Sequence, residues 1–247
     1  LQGTLGRVLA GKEQRGTIEC VVIYFDRVSK IYGGGMAALD DVSFSVEPSE
    51  FISIVGHSGA GKTTLVKMLL AQEKPTSGSV FFESINVHEV PLSRINDLRR
   101  KIGTVFQDFR LLPHTTAYEN IAFAMEAAGR PEEEIHSDVP HVLDLVDLGD
   151  KINSFPGELS GGEQQRVAIA RAIVNQPDVI IADEPTGNLD PVNAFEVVQI
   201  LKKINDLGTT IILTTHNKGV IDSLKRRVIT MDRGKVIRDD KEGKYIL

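Results

Sequence analysis

Short apolar runs alternate with longer amphipathic stretches along most of the chain, and this pattern predicts an α/β fold. Residues 51–55, 102–106 and 179–182 are mainly apolar and contain many β-branched side chains, as is typical of strands buried in a parallel sheet. Residues 233–237 resemble a final edge hairpin. Further strands are predicted at residues 22–25, 42–46, 79–82, 210–214 and 228–231.

The character of the chain changes between residues 111 and 152, where strand formers are few. Residues 118–128 and 131–146 have helical patterns, so we predict a helical insertion, about residues 108–175, in the α/β body. The whole domain is expected to span residues 21–247. Residues 1–20 have no clear periodicity and no long apolar core, and we interpret them as a weakly ordered extension or a cloning remnant.

A glycine-rich turn lies between the strand at residues 51–55 and a helical stretch at residues 62–70. Its eight residues, GHSGAGKT, begin at Gly56 and fit the pattern GxxxxGK[ST]. Glycines let successive backbone N–H groups curl around a phosphate, and the helix N-terminus adds a partial positive charge. Lys62 is expected to reach the β- and γ-phosphates, and the Thr63 hydroxyl to ligate Mg²⁺. The predicted triphosphate-binding residues are Gly56, His57, Ser58, Gly59, Ala60, Gly61, Lys62, Thr63 and Thr64.

Asp183 and Glu184 follow the apolar run at residues 179–182, so we expect them at the carboxyl edge of the sheet, beside the phosphate loop. Asp183 is a natural partner for Mg²⁺, and Glu184 is placed to orient and deprotonate the attacking water. The alternative is a solvated acidic pair that ends a strand. The phosphate loop favours the catalytic interpretation.

Residues 159–164 read LSGGEQ, in which Ser160 and Glu163 form the pattern of a helix capping box. An ordinary helix start before residues 164–174 is therefore one interpretation. Two glycines in the first turn are poor helix formers, however, and they favour a ligand that approaches the backbone closely. A phosphate is the obvious candidate, and both interpretations can hold together.

Composition narrows the class of protein. The chain has 247 residues, with 34 acidic against 28 basic side chains, and this net charge of −6 argues against a nucleic-acid partner. No apolar run approaches the ~18 residues that cross a bilayer, so we expect no direct membrane insertion. The single Cys20 fits a reducing compartment. The histidines outside the motifs lack ligand spacing, so we expect no metal site held by protein ligands alone.

The motifs occur in an order that resembles the nucleotide-binding domains of the ATP-binding-cassette (ABC) family, over about residues 21–231. The matching positions are Tyr32, residues 56–63, Gln107, residues 159–164, Asp183, Glu184, residues 188–190 and His216. The resemblance implies a phosphate-loop ATPase fold, with a mixed-sheet core and a helical subdomain that carries the signature loop at residues 159–164. It also implies a homodimer on ATP binding, in which the phosphate loop of one copy and the signature loop of the other hold each ATP.

The resemblance assigns further roles by position. Tyr32 would stack on adenine, although a plain loop aromatic is the alternative at this residue. Gln107 would sense Mg²⁺ and link to a partner, and His216 would contact the γ-phosphate. Asp190 would lie in the loop that communicates between the two nucleotide sites. The residues assigned to the nucleotide of the opposite copy are Ser160, Gly161 and Gly162.

Within the family, residues 56–61, 105–113, 159–166 and 183–190 are similar to bacterial cell-division ATPases, with lipoprotein-release and exporter ATPases as close relatives. We expect an ATPase subunit on the cytoplasmic face of the cell membrane, with an integral membrane partner, acting in division or, alternatively, in lipoprotein release or export. A soluble DNA-linked or signalling ATPase and a barely active scaffold are the rival interpretations. Phe109, Leu111 and Leu112 either seat a helix of the membrane partner or fill the junction of the two lobes.

Overall fold

The computed structural model describes residues 21–241 and 243, so the predicted extension at residues 1–20 lies outside the described part of the chain. The described residues form two sheets and seven α-helices. The strands are β1 (Ile23–Ile31), β2 (Ala37–Val46), β3 (Phe51–Val55), β4 (Ser77–Phe82), β5 (Ile85–Asn86), β6 (Ile102–Phe106), β7 (Val179–Asp183), β8 (Thr210–Thr215), β9 (Arg227–Asp232) and β10 (Lys235–Asp240). The helices are α1 (Lys62–Leu69), α2 (Ile95–Arg100), α3 (Ala117–Ala127), α4 (Glu132–Leu145), α5 (Gly161–Ile173), α6 (Pro191–Asp206) and α7 (Lys218–Leu224).

The main sheet has six strands in the order β10-β9-β3-β8-β7-β6. All neighbours are parallel except β10, which runs antiparallel to β9 at the edge. Strands β3 and β8 are buried along their whole length, as expected of central parallel strands covered on both faces. The carboxyl ends of β3, β6, β7 and β8 therefore meet at one edge, where open α/β sheets bind their ligands.

A second, antiparallel sheet has the order β2-β1-β4-β5 and packs beside the main sheet. One hydrophobic core joins both sheets through α1, and it includes Phe25, Phe44, Ile54 and Met68. The rings of Phe25 and Phe44 stack with their centroids 4.7 Å apart. Helix α1 is thus enclosed between two sheets, and this packing fixes the loop that begins it.

Helices α3, α4 and α5 contact one another and form the helical part of the molecule. Their core contains Ile121, Val139 and Val167, and it is continuous with Leu213 of the main sheet. Helix α5 also contacts β6 and α6. The helix that starts with the serine-glycine loop is therefore packed directly against the sheet that carries the phosphate loop.

The predicted mixed α/β core is confirmed, and the predicted helices and strands are present with shifted ends. Helix α5 begins three residues earlier than predicted, at Gly161, and the edge hairpin is the pair β9–β10. Strands β1 and β2 are longer than predicted because register shifts interrupt the alternation of polar and apolar residues that marks a strand. Helices α2, α6 and α7 were not predicted. Among the described residues, no helix combines the length and apolar character of a membrane span.

Candidate active site

A cleft of about 700 Å³ opens at the carboxyl edge of the main sheet. The phosphate loop after β3 lines it, together with Gln107 after β6, Glu184 after β7 and His216 after β8. Tyr32 and residues 36–38 line it from the antiparallel sheet. The structure therefore brings together the residues predicted for adenine, for the phosphates and for the chemistry, with residues 36–38 as additional lining.

The phosphate loop is closely packed beneath the cleft. Gly56 lies where a Cβ atom would approach the Met231 carbonyl oxygen to 2.5 Å, so only glycine fits. Lys62 is 7% exposed, and its Nζ donates to the carbonyl oxygens of Gly56 (2.7 Å) and His57 (3.3 Å). A buried ammonium group needs such partners because its desolvation is otherwise unfavourable. The Lys62 charge is held directly at the floor of the cleft.

Glu184 lies between two basic side chains. Its Oε1 is 3.3 Å from Lys62 Nζ, and its Oε2 is 2.8 Å from His216 Nδ1. Only 16% of the Glu184 side chain is exposed. Its backbone has φ 51°, a left-handed conformation that costs a non-glycine residue about 1 kcal/mol or more. The structure therefore aims this carboxylate into the cleft through a strained turn at the end of β7.

Thr214 connects the two acidic residues, and it was not among the predicted site residues. The Glu184 backbone N–H lies 3.1 Å from Thr214 Oγ1 and 3.0 Å from the Thr214 carbonyl oxygen, and it donates to both. The same hydroxyl donates to Asp183 Oδ1 at 2.5 Å. Thr214 is fully buried in β8, whose sequence TIILTT also buries Thr210 and Thr215, so no signal in the sequence singles Thr214 out.

Gln107 is fixed by a reciprocal amide pair with Asn188. Gln107 Nε2 donates to Asn188 Oδ1 at 2.9 Å, and Asn188 Nδ2 donates to the Gln107 carbonyl oxygen at 3.0 Å. A Cβ atom on Gly187 would lie 2.8 Å from Gln107 Cδ, so the amide lies directly over the turn that follows Glu184. This contact joins the loop after β6 to the loop after β7.

The residues predicted for Mg²⁺ provide oxygen atoms of the right kind. Asp183 ends β7 with its carboxylate half-buried, Thr63 is exposed in the first turn of α1, and Gln107 lines the cleft. Mg²⁺ at a nucleotide is bound through one or two carboxylates together with phosphate oxygens and several waters, and a set whose single carboxylate is Asp183 fits this pattern. Within residues 21–241 and 243, no cluster of three or more His, Cys, Asp or Glu side chains could hold a metal alone.

The serine-glycine loop forms the capping box that the sequence predicted. The Glu163 N–H donates to Ser160 Oγ at 3.2 Å, and the Ser160 N–H donates to Glu163 Oε2 at 2.7 Å. The hydrogen bond from the Ser160 backbone lowers the pKa of Glu163 below its usual value. Ser160 and Gly161 are exposed and do not line the cleft of their own chain.

Gly162 packs on the first turn of α6. A Cβ atom at this glycine would overlap the Asn193 side chain, with Asn193 Cγ only 2.5 Å away. Asp190 caps α6 by accepting hydrogen bonds from the N–H groups of Val192 (2.9 Å) and Asn193 (3.1 Å). The amide of Asn193 also donates to Asp190 Oδ2, and this bond lowers the pKa of Asp190. Asp190 is thus an exposed helix cap, away from the cleft lining.

The loop after Gln107 is tied to the serine-glycine helix by Arg171. Phe109 and Arg110 both have left-handed backbones, with φ 57° and φ 50°. The guanidinium of Arg171 donates to the carbonyl oxygens of Phe109 (2.9 Å) and Arg110 (2.6 Å). Burial, followed by the charge of Arg110, lowers the pKa of Arg171. Leu111 packs against the helical core and Phe109 is half-buried beside Gly161, whereas Leu112 is 39% exposed.

Replacement of Arg171 by methionine is expected to lower the free energy of unfolding by about 1–3 kcal/mol, because two carbonyl groups in a strained loop lose their donor. Urea unfolding measures the change. The exposed Arg94→Met is the matched control, and it should stay within about 0.5 kcal/mol of the parent. Equal unfolding midpoints for the two variants would show that Arg171 does not hold this loop.

Comparison with known proteins agrees with this geometry. The profile of the ABC transporter family matches residues 39–187. The chain is 49% identical over 224 residues to the cell division ATP-binding protein FtsE of Bacillus subtilis, which covers 91% of this chain and 98% of that protein. FtsE of Streptococcus pneumoniae is 50% identical, covering 91% and 97%. FtsE of Escherichia coli is 42% identical over 213 residues, covering 86% and 96%.

Two solved structures share the fold. A dimeric, post-hydrolysis state of the ATP-binding cassette MJ0796, bound to ADP and Pi, is 36% identical with a TM-score of 0.81 and covers 90% of this chain and 100% of that chain. CbiO1 of Clostridium perfringens, part of an ABC transporter complex, is 30% identical with a TM-score of 0.84 and covers 91% and 90%. The chain therefore belongs to the ABC transporter family, as an ATP-binding and ATP-hydrolysing cassette.

Proposed function

We propose that this cassette is the ATPase subunit of a membrane complex that acts in bacterial cell division. The support is the 42–50% identity to FtsE proteins over 96–98% of their length. The observation that carries the chemistry is the Glu184 carboxylate, held between Lys62 and His216 beside the phosphate loop. The substrate is ATP, with Tyr32 against the adenine and residues 56–64 around the phosphates.

The residues that line the cleft have successive roles in the hydrolysis of ATP. Bound phosphate replaces Glu184 as the partner of Lys62 Nζ, so the carboxylate becomes free to accept a proton from water. The water oxygen then forms a bond to the γ-phosphorus, the bond to the bridging oxygen breaks, and ADP leaves with those electrons. His216, which holds the second oxygen of Glu184, orients the base and contacts the γ-phosphate. Thr63, Asp183 and Gln107 would hold Mg²⁺, which would neutralise charge on the β- and γ-phosphates.

A second copy completes the site. In one chain, Ser160 and Gly161 lie outside the cleft lining, on an exposed helix N-terminus that is suited to a phosphate. The cassette MJ0796 is dimeric with ADP and Pi bound. Two copies arranged head to tail place the serine-glycine loop of each over the γ-phosphate of the other. ATP then joins the copies, and hydrolysis releases them.

The partner that receives this motion is an FtsX-like integral membrane subunit, and the cassette lies on the cytoplasmic face of the cell membrane. The loop that follows Gln107 is the contact, because it connects the nucleotide cleft to the helix of the serine-glycine loop through Arg171. Its exposed Leu112 provides an apolar anchor for a partner helix. Closing and opening of the cassettes moves the membrane subunit, which activates peptidoglycan hydrolases outside the cell.

Reconstitution with the FtsX protein of the same organism in nanodiscs tests this proposal. We expect ATP hydrolysis per cassette to rise about tenfold at dilute protein, because one membrane subunit pair holds two cassettes at high effective concentration. A lipoprotein-release permease in the same nanodiscs is the matched control and should leave the rate unchanged. Stimulation by the permease and not by FtsX would assign the cassette to lipoprotein release instead.

A further inference from the structure

Lys30 contacts Tyr32, the aromatic residue that lines the cleft. It is the second-to-last residue of β1, and its Nζ is 5.0 Å from the centroid of the Tyr32 ring. A lysine ammonium within about 6 Å of an aromatic face is attracted by the negative charge of that face. Only 14% of the Lys30 side chain is exposed, so this contact is shielded from water. Lys30 therefore touches the ring that borders the nucleotide cleft without lining the cleft.

The same ammonium group is anchored to the segment after α1. Lys30 Nζ donates to Glu73 Oε2 at 2.9 Å and to the Lys74 carbonyl oxygen at 2.8 Å. The hydrogen bond from Lys30 lowers the pKa of the Glu73 carboxyl below its usual value. The Lys30 ammonium group therefore contacts the ring and is held at the same time by residues 73–74.

Two backbone links reinforce the connection. The Ile31 N–H donates to Thr76 Oγ1 at 3.0 Å, and the Thr76 N–H donates to the Ser29 carbonyl oxygen at 2.8 Å. Residues 73–76 follow α1, whose first residue is Lys62 of the phosphate loop. The end of β1 and the helix that binds the phosphates are thus parts of one hydrogen-bonded unit.

We propose that Lys30 is a positioning residue that holds the Tyr32 ring at a fixed distance from the phosphate loop and so favours triphosphates that carry an adenine base. The proposal rests on the proposed stacking of adenine on Tyr32. Lys30 occupies one face of the ring, and the base stacks on the opposite face. The ring is ordered before the nucleotide arrives, so less conformational entropy is lost on binding.

The test compares ATP with inorganic tripolyphosphate, two ligands that share a chain of three phosphates and of which only ATP carries a nucleoside. Lys30→Met keeps the length of the side chain and removes its charge. We expect ATP affinity to fall about fivefold while tripolyphosphate affinity and kcat at saturating ATP stay unchanged. Lys30→Arg should restore most of the affinity. The exposed Lys203→Met, on α6, makes the same charge change away from the ring and from Glu73, and it should leave both ligands unaffected.

Tyr32→Ala separates this proposal from the proposed function. Tyr32→Ala should weaken the binding of ATP and leave the binding of tripolyphosphate unchanged. Adding Lys30→Met to Tyr32→Ala should then have no further effect on ATP affinity. If Tyr32→Ala leaves the ratio of the two affinities unchanged, the stacking itself is wrong. If Tyr32→Ala lowers the ratio and Lys30→Met does not, the role of Lys30 is overturned. Equal loss of both ligands in Lys30→Met would indicate a merely structural residue and would also overturn it.

Discussion

Glu184→Gln is expected to slow ATP hydrolysis by about 10²–10⁴-fold while ATP still binds, because the variant lacks the carboxylate that accepts the proton of water. The amide keeps the length of the side chain and its contact with His216, which is 2.8 Å away in the parent. It also removes the negative charge beside the γ-phosphate. ATP is therefore bound but not consumed, and the dimer that it joins should accumulate.

For Glu184→Gln, phosphate release at steady state measures the rate of hydrolysis. Light scattering after size exclusion in Mg-ATP measures the accumulation of the dimer. Glu126→Gln, an exposed change on α3, is the matched control and should hydrolyse and dissociate like the parent. Turnover at the parental rate would remove Glu184 from the role of general base. A variant that binds Mg-ATP and remains monomeric, even with its membrane subunit, would remove the dimer from the mechanism.

The parts of the site that local sequence determines were predicted from the sequence. The strand, glycine turn and helix from Phe51 to Leu69 are contiguous, so the pattern of eight residues correctly predicted this local structure, which lines the cleft. Glu184 was predicted because it directly follows a buried strand. The capping box of Ser160 and Glu163 spans only four residues, and it formed as predicted.

The parts that depend on contacts between distant segments were not predicted. Thr214 lies 31 residues from Asp183, and Arg171 lies 61 residues from Arg110, and no spacing rule connects such pairs. The left-handed backbone of Glu184 is also imposed from outside, by the hydrogen bonds to Thr214. Local sequence gives no sign of a strain that a neighbouring strand maintains.

Helix α6 was missed for a different reason, since its start signals are local. Asp190 is its N-cap and Pro191 is its first residue, a combination that commonly begins a helix. Asp190 was interpreted only as a member of the family motif, and its capping role was overlooked. The role of Asp190 in communication between the two nucleotide sites stays a prediction. The contact of Gly162 with α6, the helix that Asp190 caps, provides a way to test this surface by substitution.

Gly162→Ala is expected to reduce hydrolysis by about 10²-fold, because a displacement of about 1 Å in a positioning group has effects of this size. The new methyl group overlaps Asn193, which must leave its bond to Asp190. Overpacking costs about 1–3 kcal/mol of stability, and the better helix propensity of alanine offsets about 0.5–1 kcal/mol. ATP binding to the variant's own cleft should not change, since Gly162 does not line it.

The double variant Gly162→Ala/Asn193→Ala separates internal packing from the approach of a phosphate. Removing the Asn193 amide relieves the overlap with Oδ1 and Cγ and leaves a 3.0 Å contact with Cβ, so we expect the free energy of unfolding to return to within about 1 kcal/mol of Asn193→Ala alone. Hydrolysis should stay low, because the methyl group still blocks the backbone that the γ-phosphate of the opposite copy must reach. If hydrolysis also recovers to the level of Asn193→Ala, then this glycine serves only the packing of α5 on α6. The serine-glycine loop would then need no second nucleotide to explain its sequence.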